Sequence, residues 1–153
     1  FKQCSQLLKE DGLALIQAIT ISDRLYSRAR YEVDFIKKYI FPGSCIPSIG
    51  AICEAVAKDS DFDVVDMDDI GFHYALTLRD WRQRFQARRG AVLDLGFDER
   101  FLRMWEYYLT YCEAGFRERQ IRDFQILFAK PFNRRAPLHW DAVTAATLVE
   151  PKC

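Results

Sequence analysis

The feature that most constrains the fold is a near-continuous apolar run, LALIQAI, at residues 13–19. Only Gln17 interrupts it, and such a run is typical of a β-strand that is buried on both faces of a sheet. A strand of this kind has to be covered, so the rest of the chain is expected to supply helices that pack on the sheet. The chain has 153 residues, half of them hydrophobic, which is enough for an ordered domain.

Apolar side chains recur at helical spacing in the segments that follow this run. The predicted helices are residues 31–40, 48–58, 74–85 and 101–115. A helix end and turn are predicted at residues 7–12, and a loop at residues 20–23. The further predicted strands are residues 62–67 and 123–130. Strands that alternate with helices predict an α/β fold of three strands. We expect residues 1–131 to form one domain and residues 132–153 to be a tail.

Formal charge is balanced overall, with 22 basic and 22 acidic residues, but it is uneven along the chain. Residues 1–78 hold 8 Lys or Arg and 12 Asp or Glu, whereas residues 79–153 hold 14 and 10. A basic second half suits an anionic lipid surface, while nucleic acid requires a denser basic patch, so we expect no nucleic-acid partner. The apolar runs are shorter than the roughly 18 residues of a membrane-spanning helix, so no transmembrane segment is expected.

Metal and nucleotide motifs are absent from the sequence. Five scattered cysteines and two histidines have no metal-ligand spacing, and the aspartate-rich segment 59–69 lacks the glycine and glutamate of an EF-hand loop. We therefore expect no metal site. Scattered thiols are typical of a reducing compartment, which predicts a cytoplasmic location. No two of the seven glycines are closer than six residues, so no glycine-rich nucleotide-binding turn is present.

Three residues are candidate functional groups, and each has a structural alternative. Tyr74 follows His73 at a predicted strand–helix junction and offers a hydroxyl donor or a π face for a cation, or else it only begins the apolar stripe of its helix. Cys112 is a nucleophile if a neighbouring base lowers its pKa, or a buried packing residue. Gln17 is a ligand group or a structural hydrogen-bonding partner.

The chain resembles the C-terminal half of the cyclopropane-fatty-acyl-phospholipid synthases and mycolic acid cyclopropane synthases in four ordered segments: LLKEDGLALIQAITISD, VDFIKKYIFPGSCIPS, DIGFHYALTLRDWRQRF and RMWEYYLTYCEAGFRER. The resemblance runs from residue 1 to about residue 131. It implies the C-terminal half of a Rossmann-like, S-adenosylmethionine-dependent methyltransferase fold. It also implies methyl transfer to a cis double bond of a phospholipid acyl chain, giving a cyclopropane fatty acid, with bicarbonate as the general base.

The resemblance assigns roles to individual residues. Tyr74 matches a tyrosine that holds bicarbonate and faces the cationic centre, and Ile19 matches a residue whose backbone helps to bind bicarbonate. Gln17 replaces a histidine, and its amide can donate a hydrogen bond but cannot take a proton. Cys112 matches a cysteine assigned to the active site, although methylation of an alkene needs no covalent enzyme adduct. The expected substrate-contacting residues are Phe41, His73, Trp81 and Tyr108; for the aromatic helix residues the alternative is an aromatic core.

In the resembled family, the glycine-rich cofactor turn and a bicarbonate-binding glutamate belong to the preceding half. Because the sequence opens with Phe1 and has no such turn, we expect it to be part of a longer protein and inactive alone. The expected enzyme acts on unsaturated phospholipids from the cytoplasm, peripheral to the inner face of the membrane, with a homodimer as a candidate assembly. The alternative function is a non-catalytic lipid-binding module derived from the same family.

Overall fold

The structure, a computed structural model, describes residues 1–134. In chain order the elements are α1 (Lys2–Leu7), β1 (Leu13–Ile21), α2 (Asp23–Ala29), a short π-helix (Ile36–Ile40), α3 (Ile49–Asp59), β2 (Asp63–Asp69), α4 (Gly71–Ala87), α5 (Arg89–Asp94), α6 (Glu99–Arg117) and β3 (Ile121–Ala129). The strands form a three-stranded sheet in the order β1-β3-β2. This architecture confirms the predicted α/β fold of three strands.

The central strand β3 runs antiparallel to both of its neighbours. The backbone N–H of Lys130, just after β3, donates to the carbonyl of Gly12, just before β1, at 3.0 Å. At the other end of β3, the N–H of Ile70 donates to the carbonyl of Asp123 at 2.8 Å. In each pair the end of one strand meets the start of the other, which is the antiparallel arrangement.

The contacts divide the chain into two compact units. Among the described residues, the first comprises Phe1–Ile16, Cys53–Met67 and residues 126–134, and the second comprises Gln17–Ile52 and Asp68–Gln125. All the residues for which a functional role was predicted lie in the second unit.

The first unit is organised around Phe128, which is fully buried. The rings of Phe1 and Phe62 lie with their centroids 5.6 and 5.8 Å from that of Phe128. Complete burial of such a side chain stabilises a fold by about 1.5–3 kcal/mol. Nearby, the Lys130 ammonium donates to both carboxylate oxygens of Asp61, at 2.7 and 2.6 Å, which lowers the pKa of that carboxyl.

The second unit is organised around the packing of α4 against α6. Both helices are amphipathic, and their apolar faces form a buried cluster with only 1–4% of each residue exposed: Ala75, Leu78, Leu109 and Phe116. Asp98 caps the start of α6, since its Oδ1 accepts the N–H of Phe101 at 2.8 Å. The cluster fixes the side-chain positions along the facing sides of the two helices.

One expectation about β1 is wrong. Its burial alternates along the strand, and Leu13 and Leu15 are 36% and 62% exposed, so the strand is not covered on both faces. The physical reason is that alternate side chains of a strand point to opposite sides of the sheet, and the side that carries Leu13 and Leu15 is the open one. The strand also continues through Thr20 and Ile21, which were predicted to be in a loop.

The helix predicted over residues 31–40 is also wrong. A separate helix, α2, precedes this segment, and only Ile36–Ile40 is helical, in the wider π form, with the N–H of Phe41 donating to the carbonyl of Ile36 at 2.8 Å. Asp34 begins this short helix because its Oδ1 accepts the N–H of Lys37 at 2.9 Å. The Lys37 ammonium in turn donates to the carbonyls of Ala29 and Glu32, which ties the short helix to the end of α2 and to the segment between them.

The remaining elements agree with their predictions to within two or three residues, and α5 was not predicted. Residues 135–153 of the predicted tail lie outside the described residues. Within the described part of the chain, no helix is both long enough and apolar enough to cross a membrane.

Candidate functional site

An apolar cavity of about 410 Å³ lies in the second unit. Its walls come from the end of β1, the π-helix, and the facing sides of α4 and α6. The residues that line it include Ile19, Phe41, Tyr74, Tyr108, Cys112 and Phe116. A largely apolar cavity with a few polar groups is the usual form of a small-molecule site.

The structure brings five of the eight predicted site residues together around this cavity: Ile19, Phe41, Tyr74, Tyr108 and Cys112. The other three do not line it. His73 is exposed, and Trp81 is 44% exposed and reaches the cavity only through its edge contact with Tyr74, at 6.2 Å between centroids. Gln17 lies on β1 and is engaged elsewhere, as described below.

Tyr74 is held in the cavity wall by aromatic neighbours. Its ring centroid lies 4.8 Å from that of Phe116, and the side chain is half-buried. Burial raises the pKa of Tyr74 above its usual value, and the nearby carboxyl of Asp123 and thiol of Cys112 raise it further. The phenol is therefore neutral at physiological pH and remains a hydrogen-bond donor.

A glycine allows Tyr74 to lie close to the sheet. Gly71 begins α4 and is buried, and its N–H donates to Oδ1 of Asp69 at 3.0 Å. A β-carbon at this position would lie 3.3 Å from the backbone nitrogen of Asp123, closer than ordinary van der Waals contact. The start of α4 can thus approach the start of β3 because residue 71 has no side chain.

Asp123 is a buried carboxyl near Tyr74 that the sequence analysis missed. It is fully buried at the start of β3, and its Oδ2 accepts a hydrogen bond from Nε2 of Gln17 at 2.7 Å. Its Oδ1 is buried with no hydrogen-bond partner among the described residues. Burial raises the pKa of Asp123, and the hydrogen bond from Gln17 lowers it. The negative charge of Asp69 raises the pKa further. The two partners are 106 positions apart, so no local pattern reveals the pair.

The Gln17–Asp123 hydrogen bond gives Gln17 a structural role. An ionised carboxylate only accepts hydrogen bonds, so the amide nitrogen must face it. One N–H of Gln17 is engaged in this bond, and its carbonyl oxygen and second N–H are left for other contacts.

Cys112 is a half-buried thiol in the cavity wall. Burial, followed by the charge of Asp34, raises its pKa to about 11. A nucleophilic cysteine needs the opposite shift, because the thiolate is the reactive form. The geometry favours a packing role for Cys112 over a nucleophilic one.

Aromatic contacts hold the π-helix segment against α6. Phe35 packs on Tyr107 at 4.6 Å between centroids, and Phe41 packs edge-on against Tyr108 at 6.0 Å. Burial raises the pKa of Tyr108 to about 12, so it too stays neutral. This segment closes one side of the cavity, and π-helical turns occur frequently at functional sites.

Comparison with known proteins identifies the family to which this chain belongs. The family model for mycolic acid cyclopropane synthetase matches residues 1–126. The chain belongs to the mycolic acid cyclopropane synthetase family. It is 43% identical over 125 residues to the tuberculostearic acid methyltransferase UfaA1 of Mycobacterium tuberculosis, covering 82% of this chain and 29% of that protein. It is 36% identical over 124 residues to the cyclopropane-fatty-acyl-phospholipid synthase of Escherichia coli K12, covering 80% and 30%.

Solved structures agree with this family assignment. The cyclopropane synthase MmaA2 of Mycobacterium tuberculosis superposes with a TM-score of 0.73 at 26% identity, covering 84% of this chain and 48% of that one. The mycolic acid cyclopropane synthase CmaA1, solved in complex with SAH and CTAB, gives 0.72 at 31% identity, covering 82% and 46%. The resemblance and the methyltransferase fold class are confirmed. The chain spans about 30% of the curated relatives' length and just under half of these solved chains.

The raised pKa of Cys112 predicts slow alkylation. At pH 8 a thiol of pKa about 11 is ionised in about one molecule in a thousand, against about a quarter for an ordinary thiol. Iodoacetamide should therefore label the exposed Cys4 and Cys45 of the folded chain well before Cys112, measured peptide by peptide with mass spectrometry. In urea the rates should converge. Rapid labelling of Cys112 in the folded chain at pH 8 would contradict this account.

The buried Asp123 predicts a pH dependence of stability. Its pKa is higher folded than unfolded, so between the two values the folded state binds more protons and stability falls as pH rises. Asp123→Asn removes this penalty. The free energy of unfolding of Asp123→Asn in urea, minus that of the unsubstituted chain, should therefore increase as the pH is raised from 4 to 7. Asp80→Asn, on the exposed side of α4, is the control. A constant difference across that range would show that Asp123 is not shifted.

Proposed function

We propose that this chain is the lipid-binding part of an S-adenosylmethionine-dependent methyltransferase that acts on a cis double bond of a phospholipid acyl chain. The observation that carries the proposal is Tyr74, a neutral phenol held in the wall of an apolar cavity next to a buried carboxyl. Membership of the mycolic acid cyclopropane synthetase family supports it. The product proposed is a cyclopropane fatty acid.

The cavity suits both the substrate and the charge that such a reaction creates. Methylation of an alkene leaves a positive charge on carbon, and a π face within about 6 Å attracts a cation most strongly when water is excluded. Tyr74 and Tyr108 both line the cavity and present aromatic rings there. Because their hydroxyl groups are neutral, they offer hydrogen-bond donors and no phenolate oxygen that would attack the carbocation.

Ring closure requires loss of a proton, and bicarbonate is the base that we propose. When bound, it supplies a proton acceptor that the phenol and the amide lack. The proposed donors to this small anion are the hydroxyl of Tyr74, in the cavity wall, and the second N–H of Gln17. The backbone of Ile19, in the same wall, is the third proposed contact.

S-adenosylmethionine fits this chain only in part. No two of its glycines are closer than six residues, so it does not supply the glycine-rich turn through which backbone approaches a nucleoside cofactor. We therefore propose that a longer polypeptide supplies that turn and that residues 1–134 are inactive alone. The relatives' greater length supports this proposal. We also propose that the enzyme works at the cytoplasmic face of the membrane.

The decisive experiment uses the longest natural polypeptide that contains residues 1–134, expressed in a host that lacks cyclopropane lipids. Unsaturated phospholipids should gain about 14 Da per methylene added, measured by lipid mass spectrometry. Tyr74→Phe keeps the ring and loses the hydroxyl, so it should lower the rate by about 10- to 100-fold. Tyr74→Leu should lower it further, because it also removes the π face. Tyr31→Phe, at a residue that is 76% exposed, is the control.

Two results would contradict the proposal. Unchanged lipids with the intact protein would exclude the reaction and favour the lipid-binding module. Cyclised lipid formed at an unreduced rate by Tyr74→Leu would remove Tyr74 from the chemistry.

A further inference from the structure

A second cavity, of about 480 Å³, adjoins the apolar one in the same unit. Ile21 and Gln120 line both cavities. The walls of the second cavity are polar and carry three arginines, Arg24, Arg119 and Arg122. A polar compartment beside an apolar one matches the two parts of an amphipathic molecule.

Arg119 occupies a backbone position that favours glycine. Its φ is +53°, in the left-handed region. The N–H of Arg119 donates to the carbonyl of Phe116, and the N–H of Gln120 donates to the carbonyl of Gly115, so α6 ends in a Schellman motif with Arg119 at its left-handed residue. A side chain is sterically unfavourable there. The backbone there favours glycine, so the reason for an arginine lies in its charged side chain, which suits the negative end of the helix dipole and can also bind an anion.

The guanidinium groups in this cavity are largely available to a ligand. Within residues 1–134, neither Arg24 nor Arg119 forms a side-chain hydrogen bond or an ion pair, and Arg122 has one ion pair, to Asp69 at 3.3 Å. Two acids also line the cavity, Asp23 and Glu118, and Asp23 accepts the N–H of Gly50 at 2.9 Å. Three positive charges thus face two negative ones.

We propose that Arg24, Arg119 and Arg122 bind the phosphate group of an anionic phospholipid whose acyl chain enters the apolar cavity. Guanidinium groups match phosphate geometry through paired N–H donors. The shared lining residues place the two compartments side by side, as the head group and the acyl chain of one molecule require. The lipid part of this inference rests on the function proposed above, whereas the anion site does not.

The test measures binding to this chain by calorimetry. The probes are dihexanoyl phosphatidylglycerol below its micelle concentration, the deacylated head group, and inorganic phosphate. Arg119→Gly should weaken binding of the lipid by about fivefold or more while the melting temperature stays equal or rises, because glycine suits the left-handed position. Arg24→Gln should also weaken binding. Arg119→Lys should bind with an affinity between that of the unsubstituted chain and that of Arg119→Gly. Arg103→Gln, on the exposed side of α6 and outside the cavity, removes the same charge as a control.

Each alternative outcome overturns a defined part of the inference. Unchanged binding in Arg119→Gly, or a melting temperature that falls with the affinity, would make Arg119 a structural residue. Equal affinity for inorganic phosphate and for the lipid would exclude the lipid assignment. If the longer protein transfers methyl groups but lipid does not bind at these arginines, this inference is refuted and the proposed reaction stands. If lipid binds there but no methyl group is transferred, only the proposed reaction is refuted.

Discussion

The packing of α4 against α6 is the constraint on which the candidate site depends. Ala75, Leu78, Leu109 and Phe116 form one buried cluster, and close packing of this kind allows little displacement of the residues beside it. Tyr74, Tyr108 and Cys112 pack against the same cluster and line the cavity. The site is therefore built from the rim of a helix–helix core, which explains why its aromatic residues are both structural and exposed to a ligand.

Burial also sets the chemistry of this wall. It raises the pKa of both phenols and of the thiol, so Tyr74, Tyr108 and Cys112 are uncharged at physiological pH. The charged residues of the lining are Asp34 and Lys37, whereas the buried Asp123 lies outside it, at the start of the sheet's central strand, where Gln17 binds one carboxylate oxygen. The result is a largely apolar compartment bordered by a separate arginine-lined cavity.

The sequence was informative where a residue's role depends on its own helix or strand. The spacing of Tyr74, Leu78 and Trp81 predicted α4, and the spacing of Phe101, Trp105 and Tyr108 predicted α6, so the aromatic wall was foreseeable. The features that the sequence did not predict depend mostly on residues that are distant along the chain. Leu15 is exposed because its side of β1 is left uncovered, and the irregular segment before the π-helix carries a hydrogen bond from Lys37 back to Ala29. Asp123 was missed because its partner is 106 residues away, and Arg119 because φ is invisible in a sequence.

The central claim is that an acyl chain lies against Tyr74 inside the apolar cavity. The most direct measurement is photolabelling of the chain with a phosphatidylglycerol that carries a diazirine at the middle of its acyl chain, followed by peptide mapping. The account predicts that the label is attached to the segments around Tyr74 and Tyr108, and that an unlabelled lipid of the same class competes it away. Labelling confined to the exposed apolar side chains of β1, Leu13 and Leu15, would contradict it.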